Sequence, residues 1–155
     1  MLKLNKYWLV FLALFAFLIF IIGFMTRIIG TINYTQFSGD QARDSTVIQR
    51  FWSGYAIGYG PESSVGNYKL PPLYFYLLIP ITVFGTDPVL TALPNAILSM
   101  ATIFLVGYLI FKILDKTSFN VRVIISLICS FWWSVMWGDV ILNNMSWNPS
   151  PVPFF

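Results

Sequence analysis

The chain has 155 residues, 57% of them hydrophobic and 10% charged, with a formal net charge of +3. Soluble domains carry about 25% charged residues, so this composition belongs in a bilayer. With no histidine and one cysteine, Cys129, the chain excludes histidine-based triads, zincin motifs, internal disulfides and CxxC chemistry, and its small, scattered positive charge reads as topology information rather than as a nucleic-acid footprint.

Residues 7–26 are uncharged and follow Lys3 and Lys6. This run exceeds the apolar region of a signal peptide and no A-x-A site follows it, so it is read as a retained anchor spanning about 7–29. A long outer loop, 30–87, comes next. Loops of that length are functional or disordered, and the aromatics at Phe51, Trp52, Tyr55, Tyr59, Tyr68, Tyr74, Phe75 and Tyr76 favour a surface resting at headgroup level.

Within that loop, Ser38 followed three positions later by Gln41 forms a capping box, which predicts a helix over about 39–54 with Asp40 in its first turn. The positive helix end favours a carboxylate there. Apolar residues at 47, 48, 51, 52 and 55 recur at helical spacing, while Asp40, Arg43 and Asp44 share another face. Two readings follow. The three charges form either a solvated ion-pair cluster of little energetic weight, or the acid and base of a site above an amphipathic helix on the outer leaflet. An enzyme acting on a lipid-linked sugar phosphate needs a carboxylate to orient or deprotonate an acceptor hydroxyl, and cations to hold the phosphate. Arg43, Arg50 and Lys69 are the available cations; Arg suits bidentate phosphate contact and Lys acts as a point charge.

A second loop helix is expected over about 71–84. Pro71 and Pro72 start it and Pro80 interrupts it, leaving it too short to cross and better placed in the interface. Charge agrees, because Lys112, Lys116 and Arg122 make the connection between two later spans, about 88–113 and about 121–140, as basic as the N-terminus; both then face the cytoplasm if 71–84 does not cross. Asp139 is read as a terminal charge of the third span. With Asn143 it either faces the same groove as Asp40 or caps a helix end in water. The span interiors are read as uncharged, which argues against a channel or transporter. Gly107 and Gly138 are candidates for close helix approach, Cys129 for an apolar filler, and the aromatic run 131–137 for packing and interface anchoring. The glycosylation patterns at Asn33 and Asn144 are short enough to recur by chance.

The order of these features, a first span, then GDQARD, then GYGPESSVGNYKLPPLYFYLLIPITVFGTDP, then VLTALPNAILSMATIFLVGYL, then a third span leading to SWNPSPVPFF, resembles the N-terminal part of the GT-C superfamily of polytopic glycosyltransferases. The likeness is strongest to bacterial relatives of protein O-mannosyltransferases and lipid A aminoarabinose transferases. It implies that Asp40 is the acidic residue of the first outer loop, acting as catalytic base or positioning the acceptor. Arg43 matches a recurrent basic position, and Lys69 a lysine gripping the lipid phosphate. Asn148 stands where some relatives have Asp before Pro, a departure that leaves a second acid or metal ligand to Asp44. A divalent cation, with Asp40 as a ligand, belongs to the same set of expectations.

The expected architecture is an all-α integral membrane protein: about three transmembrane helices, interfacial helices in the first outer loop, and a C-terminal outer segment, 141–155, in a bacterial plasma membrane with the N-terminus cytoplasmic. The expected function is the N-terminal part of a transferase moving a sugar from a polyprenyl-phosphate carrier to an acceptor on the extracytoplasmic face. Because family enzymes carry more spans and this chain stops where a fourth would begin, the 155 residues alone are expected to be inactive. The alternative is an inactive fragment or small non-enzymatic membrane subunit needing a partner chain that supplies the remaining spans.

Overall fold

The computed structural model describes residues 6–63, 66 and 68–144. Among them the regular structure is helical, with one isolated antiparallel bridge between Glu62 and Lys69. Helix α1 (Lys6–Gly23) passes through a π-helical stretch (Phe24–Ile29) into α2 (Gly30–Tyr34), forming one apolar helix of 29 residues. At 1.5 Å per residue that is roughly 43 Å, more than the hydrocarbon thickness. The first span is thus longer than the expected 7–29, and it carries Arg27 inside it.

Helices α3 (Gly39–Trp52) and α4 (Leu73–Thr82) follow, then α5 (Pro88–Ile113), α6 (Phe119–Ser134) and α7 (Trp137–Asn143). Two helices, Lys6–Tyr34 and α5, are long and apolar enough to cross a membrane, and a third joins them if α6 and α7 form one span bent by 52°. Such helices are compatible with integral membrane placement. The region of the third span expected over about 121–140 is bent: the chain breaks at Val135 and Met136, with no proline or glycine at the break.

Small residues set the helix packing. A Cβ at Gly107 would overlap Ser130 Oγ, so glycine there lets α5 and α6 approach until Ser130 Oγ donates to the Ile103 carbonyl at 3.1 Å. Close approach by small residues is how apolar helices associate when lipid offers no hydrophobic contrast. On the other side of α5, a Cβ at Gly23 would lie 2.6 Å from Ile103 Cδ1. Gly138, by contrast, has nothing within 4 Å of its Cβ position, so the close approach expected there is absent. Ile19, Met100 and Ile103 form the core between these helices, with Phe15, Leu127, Phe131 and Trp133 packed on it. Leu14, Phe17, Phe104 and Ile128 point outward.

A second core joins α3 to α4. Ile48 of α3, Ile57 of the following loop, and Tyr74, Phe75 and Leu78 of α4 pack together. At 10 residues, about 15 Å long, α4 is too short to cross, as expected from its prolines. Asp87 starts α5 by accepting from the Val89 and Leu90 amides at 3.0 and 3.1 Å, with Pro88 at the first helical position, where its missing N–H costs nothing. At the opposite end Arg122 donates twice to the Phe111 carbonyl, at 2.9 and 2.8 Å, and lies 3.9 Å from the Phe111 ring centroid.

Candidate functional site

The site is built on α3. Its capping box is present as the sequence predicts, with the Ser38 amide donating to Gln41 Oε1 at 2.9 Å. Asp40 therefore sits in the first turn, and Arg43 follows one turn later. Arg43 Nη1 reaches Asp40 Oδ1 at 3.0 Å and its Nη2 reaches Asp44 Oδ1 at 2.8 Å.

The two carboxylates differ. The Asp40 side chain is 54% exposed and that of Asp44 is 2% exposed, so the solvated-cluster reading describes Asp40 but not Asp44. Burial pushes the Asp44 carboxyl above its ordinary value, against the hydrogen bond and charge of Arg43, which pull it down. Asp44 lies on the buried face of α3 with Gln41, Ser45 and Ile48.

The end of α3 turns the chain back over it. Gly54 has φ +94°, a conformation disfavoured for residues with a Cβ; the Gly54 amide bonds the Phe51 carbonyl at 2.9 Å and the Tyr55 amide the Arg50 carbonyl at 3.0 Å. The loop then anchors Ile57 in the outer core, where its carbonyl accepts from Tyr76 Oη at 3.0 Å. A short antiparallel pairing follows: Gly60 N–H to the Leu70 carbonyl at 2.7 Å and Leu70 N–H to the Pro61 carbonyl at 2.9 Å. Gly60 is required because a Cβ there would strike the Pro71 carbonyl. This pairing sets Glu62 beside Lys69, and Lys69 Nζ lies 5.4 Å from the Tyr59 ring centroid.

Between α3 and this loop is a groove of about 460 Å³, lined by Arg43, Arg50, Tyr59, Glu62, Lys69 and neighbours. The three cations singled out in the sequence, 26 positions apart at the extremes, thus share one groove. Among the described residues no ion pair involves Arg50, Lys69 or Glu62, so their charges are available to a ligand. Asp40 and Asp44 do not line the groove; they hold Arg43 from behind. Asn148 lies outside the described residues. Among the described residues no group of three or more His, Cys, Asp or Glu side chains is arranged to hold a metal ion.

Asp139 belongs elsewhere. It is 7% exposed, neither a solvated cap nor a groove residue, and pairs with Arg27 at 2.9 Å. The sequence reading missed Arg27. All five guanidinium N–H groups are used: Nε on Ser99 Oγ at 2.7 Å, Nη1 on Thr26 Oγ1 at 3.0 Å and the Ser134 carbonyl at 2.8 Å, and Nη2 on the Trp133 carbonyl at 2.7 Å and Asp139 Oδ2 at 2.9 Å. Ser99 Oγ in turn donates to Asp139 Oδ2 at 2.6 Å. Arg27 therefore bonds two carbonyls in the last turn of α6, where the helix breaks, and the Trp133 carbonyl also accepts from the Met136 amide at 3.2 Å. Two opposite charges, Arg27 and Asp139, each at the end of an apolar run, were the available signal.

No protein-family model matches the chain, and no curated protein or solved structure matches it.

Proposed function

We propose that the chain is the N-terminal part of a GT-C-type membrane glycosyltransferase, which moves a sugar from a polyprenyl-phosphate carrier to an acceptor on the extracytoplasmic face of a bacterial plasma membrane. The observation that carries this reading is the convergence of Arg43, Arg50 and Lys69 on one groove at the outer-loop end of the apolar helices. Arg50 and Lys69 hold the carrier phosphate, since among the described residues neither is in an ion pair. Arg43, flanked by two carboxylates, orients the phosphate without adding a full net charge. Asp40, exposed at the other edge of Arg43, is the acceptor-activating carboxylate. Buried Asp44 is suited to holding Arg43 rather than to meeting substrate. The basic connection containing Lys112, Lys116 and Arg122 supports a cytoplasmic placement for the opposite end.

The test is transfer itself. Because the 155 residues alone are expected to be inactive, membranes carrying a full-length version that contains this chain are supplied with a polyprenyl-phosphate hexose, and release of free polyprenyl phosphate is followed by mass spectrometry. Asp40→Asn is expected to lower the rate by about a hundredfold or more, the scale of a lost general base, with unchanged membrane insertion. Equal rates for the variant and the native protein would remove Asp40 from the mechanism, and absence of release in the native membranes would contradict the reading.

A further inference from the structure

The groove has a wall that phosphate binding leaves unused. Residues 55–62 contribute Tyr55, Tyr59 and Glu62 to it, and both tyrosines are exposed, at 68% and 69%. Gly58 and Gly60, also in the lining, keep that wall low between the rings. Glu62 is the carboxylate that lines the groove among the described residues, and it faces Lys69 across the antiparallel bridge, where facing side chains stand about 5 Å apart. The Glu62 carboxylate and the Tyr59 ring therefore adjoin Lys69 in one groove. A carboxylate is an acceptor only and makes charge-assisted hydrogen bonds with hydroxyl donors. A tyrosine face meets the C–H side of a pyranose ring.

We propose that the 55–62 wall is the subsite for the sugar ring of the carrier, with Glu62 accepting hydrogen bonds from the ring hydroxyls and Tyr59 covering one ring face. This rests on the phosphate reading of Arg50 and Lys69. Glu62 then determines whether the protein distinguishes a glycosylated carrier from a bare one.

Binding separates the two assignments. The purified protein in nanodiscs is titrated with two probes, a short-chain polyprenyl phosphate and the same carrier bearing a hexose, and occupancy is read by native mass spectrometry. The native protein is expected to hold the hexosyl carrier more tightly. Glu62→Gln should lose about tenfold for the hexosyl carrier, the scale of one charged hydrogen bond, while bare-carrier affinity stays within about twofold. Tyr59→Ala should weaken the hexosyl carrier in the same selective way. Equal weakening of both probes by Glu62→Gln, or no change in either, overturns the sugar subsite. If the native protein holds both probes equally, the subsite falls while the phosphate reading stands; if it takes neither, both fall.

Discussion

Arg27, in the π-helical stretch of the first apolar helix, and Asp139, in the first turn of α7, form a buried ion pair of 2.9 Å. π-Turns shift side chains off the regular helical register, and this one holds Arg27 where it meets α5, the end of α6 and α7 together. Removing one partner of a buried pair costs about 3–5 kcal/mol. Arg27→Met should be the more damaging change, because it also removes the donors to the Ser99 hydroxyl and the Ser134 carbonyl; Asp139→Asn should cost less. Thermal unfolding in detergent checks both, and a larger loss for Asp139→Asn would contradict the clip.

The α5–α6 seam gives a sharper contrast. Gly107→Ala places a methyl against Ser130 Oγ, and overpacking of this kind costs about 1–3 kcal/mol. Gly138→Ala meets nothing within 4 Å and should stay within about 0.5 kcal/mol of the native protein. Adding Ser130→Ala to Gly107→Ala should recover part of the loss in the same melts.

Of these two features, Gly107 was readable in the sequence and Arg27 was not. Helix α3 was legible to its first residue because Ser38 and Gln41 act on each other locally, and α4 because its prolines limit it whatever it packs against. The grouping of Arg43, Arg50 and Lys69 was legible as residue chemistry, while the groove itself depends on Gly54 and Gly60 turning the loop back. The break between α6 and α7 was not legible, since the residues at 135 and 136 carry no breaking signal and Arg27, which bonds the carbonyls just before it, lies over a hundred positions away. Burial of Asp44 was hidden for a similar reason: its i, i+4 partner Asp40 is exposed, and tertiary packing alone separates them.

The raised Asp44 value has a pH consequence. A carboxyl held above its ordinary 3.8 in the folded protein binds its proton more tightly when folded, so its contribution to stability is complete below that value and is lost as pH rises through the folded value. Asp44→Asn should therefore flatten the stability-versus-pH curve in the range from 3.8 upward, and at neutral pH it should be neutral or stabilising. Denaturant midpoints of the two proteins across that range provide the check; an unchanged slope would count against the burial argument.

Orientation is tested with single cysteines in a Cys129→Ser background. Thr46 on α3 and Ser118 in the basic connection are both exposed. In intact cells an impermeant maleimide should label Thr46→Cys, and should label Ser118→Cys only after permeabilisation. The reverse pattern would put the groove in the cytosol.

The most direct measurement is carrier-phosphate binding by the protein in nanodiscs, with a short-chain polyprenyl phosphate as probe. Arg50→Ala combined with Lys69→Ala should reduce affinity by at least about tenfold, as loss of charged hydrogen bonds requires, while Lys112→Ala at the opposite end leaves it unchanged. Native-like binding by the double variant, or an equal loss from Lys112→Ala, would contradict the assignment of the groove to a lipid-linked phosphate.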